Sequence, residues 1–486
     1  MPLEKLKLLN SDNPDIRISG IESFSNSELD SESADALSKL VMDQDKGVRN
    51  ALLLLFSNNS HPEIPWKVVQ FIKSKELSVK NFAGELLLKI GPPAIDAMLD
   101  FLDKGDNDDI KFIIDLLGLI GDKKSTRKIL KILKSTWDSN IGISCIEALG
   151  NIWDYSGDAS TENGTTDTDF HDTAEEIIKS LTEYYSANEL FRPTVIESIG
   201  KIGSGINTEF KPDIIEFVQS KFNLGDDLTR LIVIECLGKI GDRTTFYFLL
   251  GKLKEVKGFL NQETVKSISL LKAKLKIAVI PDEEILAAIL NTLIEGECEY
   301  KRAAAHILPS IESKAVMIEC LNLLNGCADI DDLLKSKFFE KTELLYEAAA
   351  ELLSSGNGER KPLLMILNEL WKNSEAERIK FRSSPQRMHL INTVINCIQS
   401  PDEEVRLAAC ELLFIIDEKN SVYFLEELTD DPNIWNRLKI IDMLEKILHP
   451  RAYKILAMLA SDREEMVREK AKAVIELKNS AIIIKA

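Results

Sequence analysis

The sequence predicts an all-α fold, an α-solenoid or superhelix of stacked antiparallel helical hairpins. Three observations carry this expectation. Basic residues recur at a fixed step: Arg406, Arg437 and Arg468 lie 31 residues apart, Arg49 and Lys80 likewise, and Arg17 precedes Arg49 by 32. Between them the apolar residues follow the helical period. Gly and Pro are scarce, at 23 and 15 of 486 residues. A unit of this length holds two helices with short turns, and one such hairpin cannot bury its apolar stripe without neighbours.

Taken in order, the first units open at Pro14-Asp15-Ile16-Arg17 and at Asp45-Lys46-Gly47-Val48-Arg49. Apolar helices then close at Leu88-Lys89-Ile90-Gly91-Pro92, Leu117-Gly118-Leu119-Ile120-Gly121-Asp122 and Leu149-Gly150-Asn151-Ile152-Trp153-Asp154. The motif returns at Ile199-Gly200-Lys201-Ile202-Gly203 and Leu237-Gly238-Lys239-Ile240-Gly241-Asp242. Gly is expected to supply the left-handed turn past each helix, and Asp to cap the next one. Lys80, Arg192 and Arg230 each lie ten residues ahead of the motif's second Ile; the register slips at Ile110 and Gly142. Glu343 to Leu353 reads as a helix. Val405, Ala408, Ala409, Leu412, Leu413 and Ile416 form one helical stripe, and Val422, Leu425 and Leu428 begin its partner. Glu465-Met466-Val467-Arg468 opens the last unit.

These signals divide the chain into N-terminal repeats (1–153), an acidic insert (154–172), central repeats (173–280), divergent helical repeats (281–384) and C-terminal repeats with an apolar tail (385–486). The insert has six acids and no Lys or Arg, which predicts a mobile surface loop. A calcium loop is the alternative, but Gly164 lacks the acidic ligands that should precede it. Residues 372–387, with five bases and two acids, read as a long polar connection. The tail 481–486 is apolar and is expected to fold back over the last hairpin, with docking on another chain as the alternative.

The alternation of Asp-x-x-Val-Arg-x-Ala-Ala with Leu-Gly-x-Ile-Gly-Asp resembles HEAT repeats of the short, phycobilisome-lyase-like type. The resemblance spans roughly residues 12–170 and 175–275 and resumes over about 385–480. It implies that a helix-start Asp and a helical Arg tie adjacent repeats together. Asp402 with Arg406 matches best, then Asp45 with Arg49, and Arg437 and Arg468 hold the same position. It also implies an alternative function, since lyase subunits of that type attach or detach bilins on phycobiliproteins. A less favoured alternative is a HEAT-like DNA glycosylase, whose site sets an acid one helical turn from a tryptophan. Only Trp371 with Glu375 approaches that spacing.

No P-loop, H-E-x-x-H or G-x-S-x-G motif occurs, and the seven Cys and five His show no metal-ligand spacing. Several Cys fall inside helical apolar runs and read as buried thiols. No catalytic, cofactor-binding or metal residue is expected. A net charge of −19 opposes a general nucleic-acid coat. Two stretches run the other way. Residues 123–134 hold six bases and no acid, with Lys124, Arg127, Lys131 and Lys134 on one helical stripe. Residues 251–276 hold seven lysines against Glu255 and Glu263. Each reads first as a solvated face. Lacking interleaved aromatics, a docking role would favour an acidic protein segment over nucleic acid. The expected function is a cytoplasmic, non-enzymatic protein-binding scaffold without cofactor or membrane segment, its partner and oligomeric state unspecified.

Overall fold

The computed structural model describes residues 2–25, 29–58, 61–154, 168–187, 189–206, 210–279, 282–324, 328–355 and 360–483. Among them the backbone forms α-helices and short 3-10 turns, with no strand. No described helix is long and apolar enough to cross a membrane. The chain divides into two compact units, Met1–Lys276 and Ile277–Ala486.

In the first unit one row of helices packs side by side in chain order. It comprises Pro14–Glu22, Lys46–Asn58, Leu77–Ile90, Asn107–Ile120, Ser139–Ile152, Arg192–Gly203, Asp227–Ile240 and Phe259–Leu275. A second row, including Ser31–Lys39, Ile95–Phe101, Thr126–Ser135, Thr168–Ala187, Lys211–Lys221 and Arg243–Lys252, lies against it. Leu86, Ile113, Leu117, Leu149, Ile199, Leu237 and Ile268 between the rows are fully buried. Each such side chain stabilises the fold by about 1.5–3 kcal/mol. Aspartates start the helices as expected: Asp106 accepts from Asp109 N–H at 2.9 Å, and Asp242 from Thr245 N–H at 2.9 Å.

The glycines of the repeated motif meet the expectation only in part. Of the closing glycines, Gly121 is left-handed, at φ 74° and ψ 15°, and Gly91 also takes a positive φ of 70°. Gly241 is extended and Gly203 remains helical. The first glycines lie inside their helices, where the neighbouring helix comes too close for a side chain. A Cβ at Gly118 would stand 2.8 Å from Ala148 Cα, and one at Gly238 would stand 2.7 Å from Ser267 Oγ. The same closeness lets the Ser198 and Ser267 hydroxyls donate across the seam to the Ile146 and Ile234 carbonyls, each at 3.0 Å.

The second unit repeats the two-row plan. Lys314–Leu321, Thr342–Ser355 and Arg387–Cys397 pack in sequence on one side. Arg360–Asn373 packs on Glu403–Ile416, and Ile434–Lys446 packs on Glu465–Ile483. The expected connection over 372–387 instead contains a helix, Glu375–Arg382. Ser374 caps it by accepting from Glu377 N–H at 3.2 Å, and its acids precede its bases, in line with the helix dipole. Its one large buried residue, Phe381, sits 4.5 Å from the Trp371 ring and 4.9 Å from Tyr346. A single anchor gives no periodic pattern, so the sequence reads there as merely polar.

Of the acidic stretch 154–172, residues 155–167 lie outside the described residues, as does the calcium alternative at Gly164. Thr168 already opens helix Thr168–Ala187. The final helix runs to Ile483, while the side chains of the 481–486 tail, and Cys327, lie outside the described residues. The Cys145, Cys236, Cys320, Cys397 and Cys410 thiols are buried, and Cys298 is exposed. Burial pushes Cys145, Cys236 and Cys320 up to about 12.

Guanidinium rungs link successive helices. Arg406 donates to both Asp431 oxygens at 2.7 and 3.0 Å, and to the Ser400 and Pro401 carbonyls. Arg437 repeats the arrangement with Asp462 at 2.8 and 3.1 Å, and Arg17 with Asp43 at 2.7 and 2.9 Å. Lys80 forms a simpler rung to Asp109 at 2.8 Å. The structure thus brings Arg406 to an aspartate ahead of the next helix of its row. Asp402 caps its own helix, accepting from Glu404 N–H at 2.8 Å, and Asp45 accepts from Val48 N–H at 3.1 Å. Arg49 lies over the Phe82 ring at 5.7 Å and makes no ion pair among the described residues. Arg468 donates to the Asp462 and Arg463 carbonyls. Burial pushes the Asp431 and Asp462 carboxyls up, but hydrogen bonds from Arg406 and Arg437 outweigh it and hold both below the ordinary range.

Gly118→Ala should cost about 1–3 kcal/mol through overpacking, despite the better helix propensity of alanine. Gly251→Ala, in open space within Arg243–Lys252, should gain up to about 1 kcal/mol. Thermal melts of the two variants should therefore shift in opposite directions. Arg437→Ala strands the buried Asp462 and should cost about 3–5 kcal/mol in urea unfolding. The Asp431 and Asp462 rungs stabilise fully above the ordinary carboxyl range, near pH 4, and fade as pH falls through the lowered values. The melting temperature should therefore drop on acidification below about pH 4, and drop less in Arg437→Ala.

Candidate interaction surfaces

The basic stripe is exposed as its spacing requires. Lys124 precedes helix Thr126–Ser135, and Arg127, Lys131 and Lys134 line its outer side. Acids of adjoining helices answer part of the charge. Lys124 pairs with Asp96 at 2.6 Å, Lys128 with Asp103 at 2.6 Å and Lys134 with Glu176 at 3.0 Å. Arg127 and Lys131 make no ion pair among the described residues, and they are what the stripe presents to solvent.

Two lysines of 251–276, Lys252 and Lys274, are bound up with their own fold. Lys252 pairs with Glu255 at 2.9 Å and lies over the Phe222 ring at 5.1 Å. Lys274 donates to the Lys239 carbonyl at 3.4 Å and faces Lys211. Burial, then the charge of Lys274, pushes Lys211 down to about 8. Lys211 in turn donates to the Ile206 carbonyl at 2.8 Å.

Trp371 is fully buried and donates its indole N–H to the Tyr346 hydroxyl at 3.2 Å. Glu375 is exposed at the start of the following helix. The pair therefore presents no stacking face beside an acid, as base excision would need.

Large apolar side chains gather where the main row of the first unit begins its helices. Leu77 stands at the start of Leu77–Ile90, Trp137 just ahead of Ser139–Ile152, and Leu190 ahead of Arg192–Gly203. Leu224 and Leu228 flank the start of Asp227–Ile240, and Phe259 starts the last helix of the row. All are exposed, and Trp137 completely so, at 101%. Carboxylates lie among them at Asp138, Glu189 and Asp227. Sequence reasoning missed this edge. A residue just before a cap usually folds back onto its helix, and nothing in Thr136-Trp137-Asp138 signals that Trp137 does not.

Two grooves lie among the described residues of the second unit. One, of about 600 Å3, is floored by Asn368, whose amide donates to the Ala408 carbonyl at 3.3 Å. The other, of about 580 Å3, is lined by Arg378, Arg382, Arg387, Lys419 and Lys446. Three of these bases come from the stretch read from sequence as a polar connection. The excess of base was visible there, but the helix that gathers it was not.

Comparison with known proteins bears on the fold. A family model described as HEAT repeats matches residues 391–476. The match is to HEAT repeats in general and does not single out the phycobilisome-lyase-like type. No curated protein matches the sequence. Among solved structures, Kap121p bound to RanGTP is similar with a TM-score of 0.53 at 12% identity, over 97% of this chain and 56% of that one. Kap121p bound to Ste12p gives 0.52 at 14%, and Kap121p bound to Nup53p gives 0.52 at 13%, each over the same shares. The chain thus spans about half the length of these structures, and identities this low show the fold alone. With the helices and rungs described above, these findings make the chain an all-α solenoid that carries HEAT repeats over residues 391–476.

Proposed function

We propose that the chain is a non-enzymatic scaffold that binds a protein partner along the exposed helix-start edge of its first unit. The observation that supports this reading is that Leu77, Trp137, Leu190, Leu224, Leu228 and Phe259 stand exposed at the starts of five helices of the row, Asn107–Ile120 contributing none. Large exposed apolar side chains repeated along one edge are costly to leave in water and favour an interaction surface. Tryptophan is the residue type that most often dominates such contacts. Glu189 and Asp227 already pair with Arg192 at 2.8 Å and Arg230 at 3.3 Å, so the apolar anchors rather than charge would carry the contact. Arg127 and Lys131, lying outside this edge, offer a separate contact for an acidic segment.

Affinity capture with the full chain, quantified by mass spectrometry, tests the scaffold. The chain should retain specific proteins, and Trp137→Asp with Leu228→Asp should reduce that retention at least about tenfold at an unchanged melting temperature. Retention unaffected by the double substitution would refute the edge. Recovery of no protein, with turnover of a small molecule, would refute the scaffold itself.

A further inference from the structure

We infer that the basic groove of the second unit docks an acidic peptide segment with aliphatic side chains, supplied by a protein partner. This deepens the scaffold reading and rests on it for the class of partner.

The groove is assembled from ends of elements. Helix Glu375–Arg382 sets Arg378 and Arg382 one turn apart, and its buried Phe381 fixes it against Trp371 and Tyr346. Arg387 opens the next helix, Arg387–Cys397. Lys419 follows the end of Glu403–Ile416, and Lys446 ends Ile434–Lys446.

Many bases of this unit find carboxylates. Elsewhere in the unit Lys335 pairs with Glu369, Lys341 with Glu312, Lys361 with Glu404, Arg406 with Asp431 and Lys470 with Asp442. The five bases lining the groove make no ion pair among the described residues. Arg387 is half-buried, and its Nε–H is shielded from water without a hydrogen-bond acceptor among the described residues. An acidic chain of net charge −19 has carboxylates to spare, yet leaves these cations unanswered. Three acids also line the groove. Asp417 is engaged by the Asn420 backbone N–H at 3.2 Å and side-chain amide at 2.7 Å. Glu375 and Glu418 are exposed and oppose the five bases only in part.

The apolar lining identifies the occupant further. Leu448 is 82% exposed and Ile379 57%, with Ile415 between the charged ends. Guanidiniums grip carboxylates through paired N–H donors, while such aliphatic patches accept aliphatic side chains. A peptide that alternates the two satisfies both. The volume is ample for several side chains and far larger than one inorganic anion needs. No aromatic ring lines the groove to stack a nucleobase.

The test uses a fluorescein-labelled peptide alternating Glu and Leu, titrated with the full chain by fluorescence anisotropy. Binding should be saturable and should weaken as salt is raised from about 50 to 300 mM. Replacing every Glu of the peptide by Gln should weaken it at least about tenfold, as should Arg378→Ala with Arg382→Ala. Glu375→Gln with Glu418→Gln should tighten it, a gain that misfolding would not produce. Equal binding of the Gln peptide, or no effect of the Arg substitutions, would overturn the assignment. So would a single-stranded oligonucleotide or a phosphoserine peptide that binds where the Glu–Leu peptide does not. If proteins captured through the Trp137 edge persist while the acidic peptide fails to bind, only the groove is refuted. If neither is retained, the scaffold reading falls with it.

Discussion

The closeness with which helix Ser139–Ile152 approaches Asn107–Ile120 sets the geometry of the first unit. Gly118 and Ala148 meet backbone to backbone, and Gly150 with Ser198 and Gly238 with Ser267 repeat the contact along the row. With glycine on one side of the seam and only Ala or Ser on the other, the helices close up and the larger Leu and Ile residues pack beside it. Serine hydroxyls then find acceptors on the neighbouring helix, which a wider spacing would deny them. The core, the second row and the exposed helix starts all take their positions from that spacing. A protein interior at close-packed density has little room to compensate if it widens.

The C-terminal helices of the second unit are held by charge as well as contact. Arg406 and Arg437 each reach two carbonyls of their own helix start and one carboxylate ahead of the next helix. The carboxylates are largely shielded from water, and the guanidiniums help hold their pKa below the ordinary range. The coupling is directional, because each rung joins a helix only to its successor. Where the rungs are absent, the buried cluster of Tyr346, Trp371 and Phe381 takes their place and fixes the inserted helix that carries two of the groove arginines.

The apolar stripes and the aspartate caps were legible because each depends on residues within one or two helical turns, and the repeat step because these local patterns recur. The partner of Arg406 was not. It lies 25 residues downstream, across a turn and a second helix, while Asp402 offered a nearer carboxylate of the right type. The role of Gly118 was hidden for a related reason: a glycine needed by a neighbour and a glycine needed by a turn look alike in sequence. Helix Glu375–Arg382 has one buried anchor, too few to make a period. The groove bases come from four separate elements, and only their joint position distinguishes them from ordinary solvated charges.

The buried thiols give this architecture a further property. Cys145 and Cys236 sit in the main row of the first unit, and Cys320, Cys397 and Cys410 sit on three helices of the second. In the closed state their protons are held too tightly for alkylation near neutral pH. Each becomes a nucleophile only when its own stretch of helix parts from its neighbours. The chain therefore carries its own set of chemical clocks, spaced along the repeats, and each records how often that part of the array breathes.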